Sequence, residues 1–599
     1  MNSRDTEKQP VVPALVSDPP PLLEDTRRHA AEEEPPLEVE VRGEVGVRSR
    51  DVRQAAELGV DDDERDVGQE VEQIAPPAAN GQSRDEQQER IAIGRQGEVE
   101  DADREHEDEQ GQSGRERNRL RIQISARWAP ALAAVVAALL AVATRVAFWG
   151  TPLTADEGGY AQIARLWDNG VGLYGGAWVD RPQGLLLVYR GLLELGGGST
   201  ESLRIVAAAV SMLMVLATVV VAVRICGTIE AIAAGLLLAT FAASPFIEAF
   251  TLSGELLAAF PAVLSLLAFT VYLQKRRVAW LAVAGLLTGC AVMIKQSAFD
   301  AGLAAVAFLL LTERSKRAFS VSIFVLMALV PVAIAASTAP THDWWNAVVA
   351  YRAEGDSLLT GSPLHRLELF ADSLPAAAKG LGVLALLAAI GWRSSPLLVR
   401  LWLGAAVVGV LGGGNFHYHY YVQLAAPLSI LAAVGVMQLL VERRRVATAV
   451  CGAAALVTVA LTAPLWFASG PAQARAIWPK DGRLVHSQAV ADYVKAHTKP
   501  NERIFVLWAG ADVYYLSDRR PALPYMWYRN VESIDGALAS VQWLLAVRRP
   551  SLVVLAQGPE TIDPSGETER ILRQKYRFAT FVEGIPILEV RPSAYGTKS

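Results

Sequence analysis

The sequence has few cysteines, no long basic tract and no apolar stretch directly after Met1. Its three cysteines all lie within or at the ends of apolar segments, at Cys226, Cys290 and Cys451. This distribution gives no support to a disulfide framework or to a cysteine-based zinc site. The net charge of −6 without a basic tract makes nucleic acid an unsupported partner. Because no apolar core follows Met1, we do not expect this segment to be a signal peptide.

Residues 1–127 are polar and charged, with few aromatics and many Glu, Arg, Gln and Pro. Such a segment cannot bury enough apolar surface to offset chain entropy, so we predict that it is disordered and cytoplasmic. The sequence leaves open the alternative that the natural chain starts shortly before Arg121.

Residues 128–468 consist mostly of Ala, Leu, Val and Gly, and they raise the hydrophobic fraction of the chain to 52%. About 20 apolar residues cross the roughly 30 Å of hydrocarbon in a bilayer. We therefore predict a membrane-embedded all-α bundle of about eleven transmembrane helices. The predicted spans are 128–148, 203–224, 229–247, 255–273, 278–295, 298–312, 319–338, 377–392, 397–413, 420–440 and 446–467.

Basic residues orient these spans. With the N-terminus in the cytoplasm, each compact basic cluster between helices falls on the cytoplasmic side. The first outer loop is then 149–202, and its apolar stretch 184–195 is predicted to be an interfacial helix. The Ala-, Val- and Arg-rich composition indicates a GC-rich bacterial genome. We expect a multi-pass protein of the bacterial plasma membrane.

Residues 469–599 return to a globular composition and alternate between helical and strand patterns. They are predicted to form a small extracytoplasmic α/β domain. Its predicted helices are 484–497, 536–548 and a third near 567–575. Its predicted strands are 503–508, 551–556, 577–583 and 585–590.

Two adjacent carboxylates, Asp156 and Glu157, follow the first span, with two glycines and Tyr160 beside them. A carboxylate at this place can accept a proton from a hydroxyl group or bind a cation. A lone Asp-Glu pair is more often a solvated loop feature, so the argument depends on the residues that join it. Arg181 follows about 25 residues later in the same predicted loop.

Glu248 and Glu255 flank the second predicted outer turn. Glu255 begins a membrane helix, where a buried charge is costly and usually functional, although it could simply cap that helix. Lys295 lies where a helix meets the outer face, either extending towards headgroups or binding a lipid-linked phosphate. His417 and His419 lie in the last outer loop and could bind a phosphate, or a metal with a third ligand from Asp156 or Glu157.

All these residues fall on one predicted membrane face although they come from distant parts of the sequence. That convergence predicts a shared active site at the outer leaflet. Metal use stays open, because the acids could hold a divalent cation but show no diagnostic spacing.

The order of motifs resembles the GT-C glycosyltransferases, in the branch of protein mannosyltransferases and aminoarabinose lipid A transferases (glycosyltransferase family 39-like). The matching features are Asp-Glu-x-x-Tyr, an Arg-Pro turn, an acid opening a later helix, Ala-Gly-Leu-x-x-Gly-x-x-x-x-x-Lys and an aromatic loop with a tyrosine pair. The resemblance covers roughly residues 128–530. Within it, Arg181-Pro182-Gln183 departs from the usual Lys-Pro-Pro.

The resemblance implies transfer of a sugar from a polyprenyl-phosphate carrier to an outer acceptor, which can be a glycan, lipid or protein. By this resemblance Asp156 matches the catalytic acid of the first loop and Glu157 its neighbour. Lys295 matches the lysine that faces the carrier phosphate, and Glu255 stands where many members have Asp.

The mechanism we expect is a single inverting displacement at the anomeric carbon. Asp156 would take the acceptor proton, while Lys295, with Arg181 or His417 and His419, would stabilise the departing phosphate. Glu157, Glu255, Glu248 and Tyr160 would orient the catalytic acid, the acceptor or a cation.

The sequence leaves two alternative functions to compare with sugar transfer. A transporter or flippase of lipid-linked sugars would explain the spans, but no internal repeat is evident and the charges lie at one face rather than midway. A structural assembly protein gives no reason for the Asp-Glu pair together with Lys295.

Overall fold

The computed structural model describes residues 131–355, 362–508 and 510–592. The predicted disordered segment 1–127 lies outside the described residues. Helices make up most of the described chain as far as residue 477, and a five-stranded sheet with further helices follows.

Six helical segments are long and apolar enough to cross a membrane. They are α4 (Thr200–Ile225), α6 (Gly254–Lys275), α9 (Arg317–Ser337), α11 (Pro363–Gly391), α14 (Arg444–Trp466), and the stretch Tyr418–Glu442 that contains α13 (Ala425–Glu442). This architecture is a membrane helical bundle.

Five shorter apolar helices fall on the remaining predicted spans. They are α1 (Ala131–Val146), α5 (Thr228–Phe241), α7 (Val278–Ile294), α8 (Asp300–Thr312) and α12 (Leu397–Gly412). Each apolar segment of the sequence therefore forms a helix. That all eleven cross the bilayer stays a prediction.

Small residues let several of these helices approach closely. A Cβ on Gly285 or Gly289 of α7 would collide with carbonyl oxygens of α9, at Phe324 and Ala328. Gly435 of α13 meets the backbone of α11 in the same way. Close backbone approach of this kind is how membrane helices gain packing energy without a hydrophobic driving force.

The predicted first outer loop contains two helices, α2 (Ala155–Asp168) and α3 (Gln183–Gly196). Helix α2 starts with a capping box, in which the Thr154 hydroxyl accepts from the Glu157 N–H and the Glu157 carboxylate accepts from the Thr154 N–H. Helix α3 covers the predicted interfacial stretch and ends at Gly197, whose φ of 67° suits glycine. Gly184 of α3 lies against the Met293 carbonyl near the end of α7.

Helix α10 (Thr341–Trp345) and a π-helical segment (Asn346–Gly355) come directly before residues 356–361, which are outside the described ranges. Beyond α14 come α15 (Gly470–Ile477), α16 (Ser487–His497), α17 (Ala511–Ser517), α18 (Tyr528–Ser533), α19 (Ala537–Trp543) and α20 (Glu567–Lys575). The predicted helix 484–497 begins three residues later than expected. The predicted helix 536–548 continues past Trp543 as a π-helical turn.

The sheet has the order β2-β1-β3-β5-β4, in which β1 pairs in parallel with β2 and β3 while β5 pairs antiparallel with β3 and β4. The strands are β1 (Arg503–Val506), β2 (Arg520–Pro521), β3 (Leu552–Val554), β4 (Tyr576–Val582) and β5 (Ile585–Val590). Strand β2 was not predicted, because two residues carry no alternation to detect. All four predicted strands are present, although the first two are shorter than expected. That this region is a separate extracytoplasmic domain stays a prediction.

Helix α17 brings the C-terminal region onto α2. A Cβ on Gly158 of α2 would collide with the backbone of Asp512, and one on Gly159 would collide with the Trp527 ring. The two glycines after the Asp-Glu pair therefore permit this close docking. It places residues from the end of the chain beside the first predicted loop.

Candidate active site

A cavity of about 480 Å³ lies where α2, the segment before α3, the turn before α6 and the C-terminal region meet. Its lining is mostly polar and aromatic, and it draws on distant parts of the described chain. The residues that matter below are Asp156, Tyr160, Asp180, Arg181, Glu248, Arg352, Asp372, His417, His419, Trp478, Asp481, Trp527 and Arg529.

Asp156 reaches the cavity from the first turn of α2. The Trp527 indole N–H donates to its Oδ1 over 3.1 Å, and the Tyr160 hydroxyl lies 3.5 Å from its Oδ2. Burial raises the pKa of Tyr160 well above its usual value, although Arg181 opposes the shift, so this phenol keeps its proton. The positive end of the helix dipole favours a carboxylate at this position.

Glu157 differs sharply from its neighbour, because it is buried and its oxygens are engaged. It forms an ion pair with Arg204 of α4, accepts from the Leu252 N–H over 2.7 Å and closes the capping box. These contacts tie α2 to α4 and to the turn before α6. The geometry gives Glu157 an anchoring position rather than one open to a substrate.

Asp156 is also distinct among the six carboxylates that line the cavity within the described chain. The other five each face a basic side chain. The pairs are Glu157 with Arg204, Asp180 with Arg181, Glu248 with His419, Asp372 with Lys480, and Asp481 with Arg483. The hydrogen-bond partners of the Asp156 carboxylate in the described residues are the neutral groups of Trp527 and Tyr160.

Two arginines converge on Asp180 at the cavity wall. Arg181 approaches its Oδ2 at 2.6 Å, and Arg352 pairs with the same oxygen. Burial alone would lower the pKa of Arg181, but Asp180 and other neighbours outweigh it and raise the pKa well above the ordinary value. Two fixed positive charges therefore border the cavity beside the predicted catalytic acid.

Lys295 lies at the end of α7 and is 4% exposed. It forms an ion pair with Glu255, and its ammonium lies 4.2 Å from the centre of the Tyr420 ring. Neither Lys295 nor Glu255 is among the residues that line the cavity. The Gln296 side chain donates to the Asp180 carbonyl over 2.6 Å and thereby joins this pair to the arginine cluster.

His419 bridges two acids. Its Nδ1 lies 2.9 Å from Glu248 Oε2, and its Nε2 lies 3.7 Å from Glu255 Oε1. Glu248 also accepts from the Trp478 indole over 2.7 Å, and its φ of 53° is one that non-glycine residues seldom adopt. His417 stacks on His419, and burial lowers its pKa, so it is neutral.

The predicted site residues therefore fall into one cluster with different roles open to them. Seven of them line the cavity, namely Asp156, Glu157, Tyr160, Arg181, Glu248, His417 and His419. Lys295 and Glu255 are not part of the lining. Within the described residues, no group of three or more His, Cys, Asp or Glu side chains could hold a metal ion.

Sequence reasoning missed four residues of this cluster, namely Arg204, Arg352, Trp478 and Trp527. Each contacts a predicted site residue or its neighbour from a distant position in the chain. Trp527 is 371 residues from Asp156, and no local motif marks that contact. For Arg204 a signal existed, since a charged residue within an apolar span usually has a partner.

Residues 180–340 match a family model described as dolichyl-phosphate-mannose-protein mannosyltransferase. Among curated proteins, no match was found. The matched segment carries Arg181, Glu248, Glu255 and Lys295, and it leaves Asp156 and the C-terminal region outside.

Among solved structures, the chain is similar to ArnT from Cupriavidus metallidurans bound to undecaprenyl phosphate, with a TM-score of 0.51 and 16% identity over 78% of this chain and 99% of that one. The apo state of the same protein gives a TM-score of 0.51 and 16% identity, over 76% of this chain and 97% of that one. The chain is also similar to AglB from Archaeoglobus fulgidus, in complex with an inhibitory peptide and a dolichol-phosphate. The TM-score is 0.47 and the sequence identity is 14%, over 72% of this chain and 69% of that one. The likeness to ArnT spans nearly the whole of that protein and shows a shared fold.

Proposed function

Because the chain has the fold of the GT-C glycosyltransferases, we propose that it is a membrane glycosyltransferase. In this proposal it moves a sugar from a polyprenyl-phosphate carrier to an acceptor at the outer face of the membrane. ArnT, which shares the fold, binds undecaprenyl phosphate, and the family model that matches residues 180–340 is named for a dolichyl-phosphate sugar donor.

One observation carries the proposal. The cavity holds Asp156, a carboxylate whose hydrogen-bond donors among the described residues are neutral, and its wall also carries the arginine pair on Asp180. A carboxylate paired with a cation is a weaker base, because the cation stabilises its charged form. A base beside positive charge is the arrangement that displacement of a phosphate by a hydroxyl requires.

The proposed step is a single displacement with inversion. Asp156 takes the proton of an acceptor hydroxyl, and the hydroxyl oxygen forms a bond to the anomeric carbon of the sugar. The bond between that carbon and the carrier phosphate oxygen breaks, and the electron pair leaves with the phosphate. Arg181 and Arg352 stabilise the charge that develops on it, which lowers the barrier only if they act more strongly in the transition state.

Lys295 acts behind this arginine pair. Its charge is balanced by Glu255, and the pair lies outside the cavity lining. We propose that the pair, joined through Gln296 to the Asp180 carbonyl, holds the arginine cluster in place. The geometry of His419, whose two nitrogens face carboxylates, supports a role in holding Glu248 and Glu255. We propose this role in place of direct phosphate binding by the histidines.

The location of the cavity also fits a lipid-linked donor. Glu248 lies in the turn between two apolar helices, Lys295 lies at the end of another, and Asp156 lies in the first turn of α2. A carrier needs hydrocarbon for its tail and water for its sugar, and both are available at this boundary. We propose that the boundary is the outer one, with the N-terminus cytoplasmic and the C-terminal region extracytoplasmic.

The reaction is tested with the purified protein in detergent or nanodiscs, supplied with radiolabelled polyprenyl-phosphate sugars extracted from membranes. The proposal predicts that each sugar transferred releases one polyprenyl phosphate and that the new linkage has the opposite anomeric configuration. Movement of intact donor across vesicles without release of polyprenyl phosphate would instead identify a transporter.

A further inference from the structure

The C-terminal region contributes a side chain to the cavity that the sequence did not indicate. Trp527 lies between β2 and α18, and it lines the cavity with the residues that follow it. We propose that Trp527 is a positioning residue for Asp156, holding Oδ1 so that Oδ2 is the oxygen that receives the acceptor proton. This inference rests on the proposed function of the same site.

The hydrogen bonds of Asp156 distinguish its two oxygens. Oδ1 accepts from the Trp527 indole over 3.1 Å, which is a normal hydrogen-bond length, whereas Oδ2 has the Tyr160 hydroxyl at 3.5 Å. A carboxylate oxygen that accepts a good N–H donor is less available to a second proton. The incoming hydroxyl therefore meets Oδ2.

The indole packs against two consecutive residues of α2, which set its direction. Its ring lies over Gly159 of α2, where any Cβ would collide with it, and its centre is 5.7 Å from that of Tyr160. Two residues further on, Arg529 donates to Asn415 Oδ1 over 2.8 Å. The Trp527 segment thus contacts the base on one wall of the cavity and the loop before His417 on another.

This contact makes the C-terminal region part of the active site. A carboxylate on the first turn of a helix can rotate about χ1 and χ2, and a single N–H donor removes that freedom at little cost. Loss of the indole N–H should leave the arginines proposed to bind the lipid-linked sugar unchanged. It should slow the transfer of the acceptor proton to Asp156. The signature is a lower kcat with an unchanged KM for the lipid donor.

Trp527→Phe removes the N–H and keeps an aromatic ring, whereas Trp527→His keeps a ring N–H. Trp508→Phe is the matched control, since the Trp508 indole donates to the Gly558 carbonyl and lies outside the cavity lining. We expect kcat of Trp527→Phe to fall about 10-fold to 100-fold, which corresponds to one hydrogen bond to a charged group. Trp527→His should recover part of the loss, and Trp508→Phe should keep wild-type kcat.

A second readout does not depend on turnover. Carbodiimide labelling of carboxylates, followed by peptide mass spectrometry, reports how accessible Asp156 is relative to Asp372 at the same cavity. We expect Asp156 labelling to rise in Trp527→Phe and to stay unchanged in Trp508→Phe. Increased labelling without any sugar transfer by the wild type would refute the proposed function and leave the contact standing.

Two results would overturn the inference. One is wild-type kcat and unchanged Asp156 labelling in a folded Trp527→Phe protein. The other is an equal loss of kcat and of melting temperature in Trp527→Phe, Trp527→His and Trp508→Phe, which would mean that each indole only supports the fold. If Trp527→Phe does not fold, Asp156 labelling in Gly159→Ala decides, because the added methyl displaces the Trp527 ring. We expect that labelling to rise, and unchanged labelling would overturn the inference.

Discussion

Glu157 of α2 and Arg204 of α4 form an ion pair in which each side chain is 1% exposed. The adjacent Asp156 is only partly buried and lines the cavity with neutral partners. The two consecutive carboxylates therefore have different environments. Asp156 is open to the cavity, whereas Glu157 points towards Arg204 in the helical bundle. The pair reads as one motif in sequence and divides into an anchor and a proposed base in structure.

The first prediction concerns this anchor. Glu157→Gln should lower stability by about 3 kcal/mol, because it leaves Arg204 buried without its counter-charge. The double variant Glu157→Gln with Arg204→Met should recover much of that loss, since neither charge then remains buried. Melting temperatures in detergent test both expectations. A double variant as unstable as the sum of the single ones would mean that the two residues do not stabilise one another.

The second prediction separates structure from chemistry at Lys295. Lys295→Met should destabilise the protein by about 3 kcal/mol, because Glu255 loses its nearest cation and keeps only His419 Nε2 at 3.7 Å. Adding Glu255→Gln should restore most of the stability but not the transfer of sugar, because the ion pair that holds the arginine cluster in place is still missing. Near wild-type transfer by the stable double variant would limit Lys295 to a structural role.

The third prediction concerns the second glycine of the motif. Gly159→Ala should reduce transfer while the bundle stays folded, because the added methyl displaces the Trp527 ring from Asp156. Gly191→Ala is the control, as a Cβ there meets no atom within 4 Å and alanine favours the α3 helix. Initial rates of transfer at equal amounts of folded protein give the comparison. Equal rates for the two variants would contradict the proposed packing.

The fourth prediction is a pH dependence of stability. Burial raises the pKa of Asp512 to about 6, with nearby Ser487 opposing the shift. Since the pKa in the unfolded chain is lower, about 4, the folded state holds the proton more tightly. The contribution of Asp512 is therefore fully present below about pH 4 and is lost as the pH rises through 6.

Asp512→Asn should remove this loss. It should melt at a higher temperature than wild type at pH 7.5, by an amount that corresponds to about 3 kcal/mol, and the difference should shrink to about 1 kcal/mol at pH 4.5. Asp518→Asn serves as the control, because its carboxylate is exposed at the other end of the same helix, in an ion pair with Arg165. An equal difference from wild type at both pH values would show that Asp512 does not titrate as described.

Much of the bundle could be predicted because apolar composition alone marks helices in a membrane. Each predicted span falls on a helix, and the four predicted strands of the C-terminal region are present. Boundaries were less predictable where a 3₁₀ turn adjoins a helix, as at the start of α16, which follows the turn Gly482–Val485. The two-residue strand β2 has too little sequence to show a pattern.

The candidate site was predictable where charge occurs against an apolar background. Asp156, Arg181, Glu255 and Lys295 stand out in this way, and the structure brings them into one cluster. Their individual environments were not predictable, because they depend on contacts such as that of Trp527 with Asp156. His419 shows the limit well, since its sequence neighbours do not reveal that both ring nitrogens face carboxylates.

We propose that Asp156 is the base for sugar transfer. The direct test is to measure the rate of sugar transfer by Asp156→Asn, by wild type and by Asp168→Asn. Asp168 lies at the far end of the same helix, in an exposed ion pair with Arg190, and so controls for loss of a charge on α2. We expect transfer to fall about 100-fold or more in Asp156→Asn, with normal expression and melting temperature, and to stay unchanged in Asp168→Asn. Transfer by Asp156→Asn at the wild-type rate would contradict the proposal.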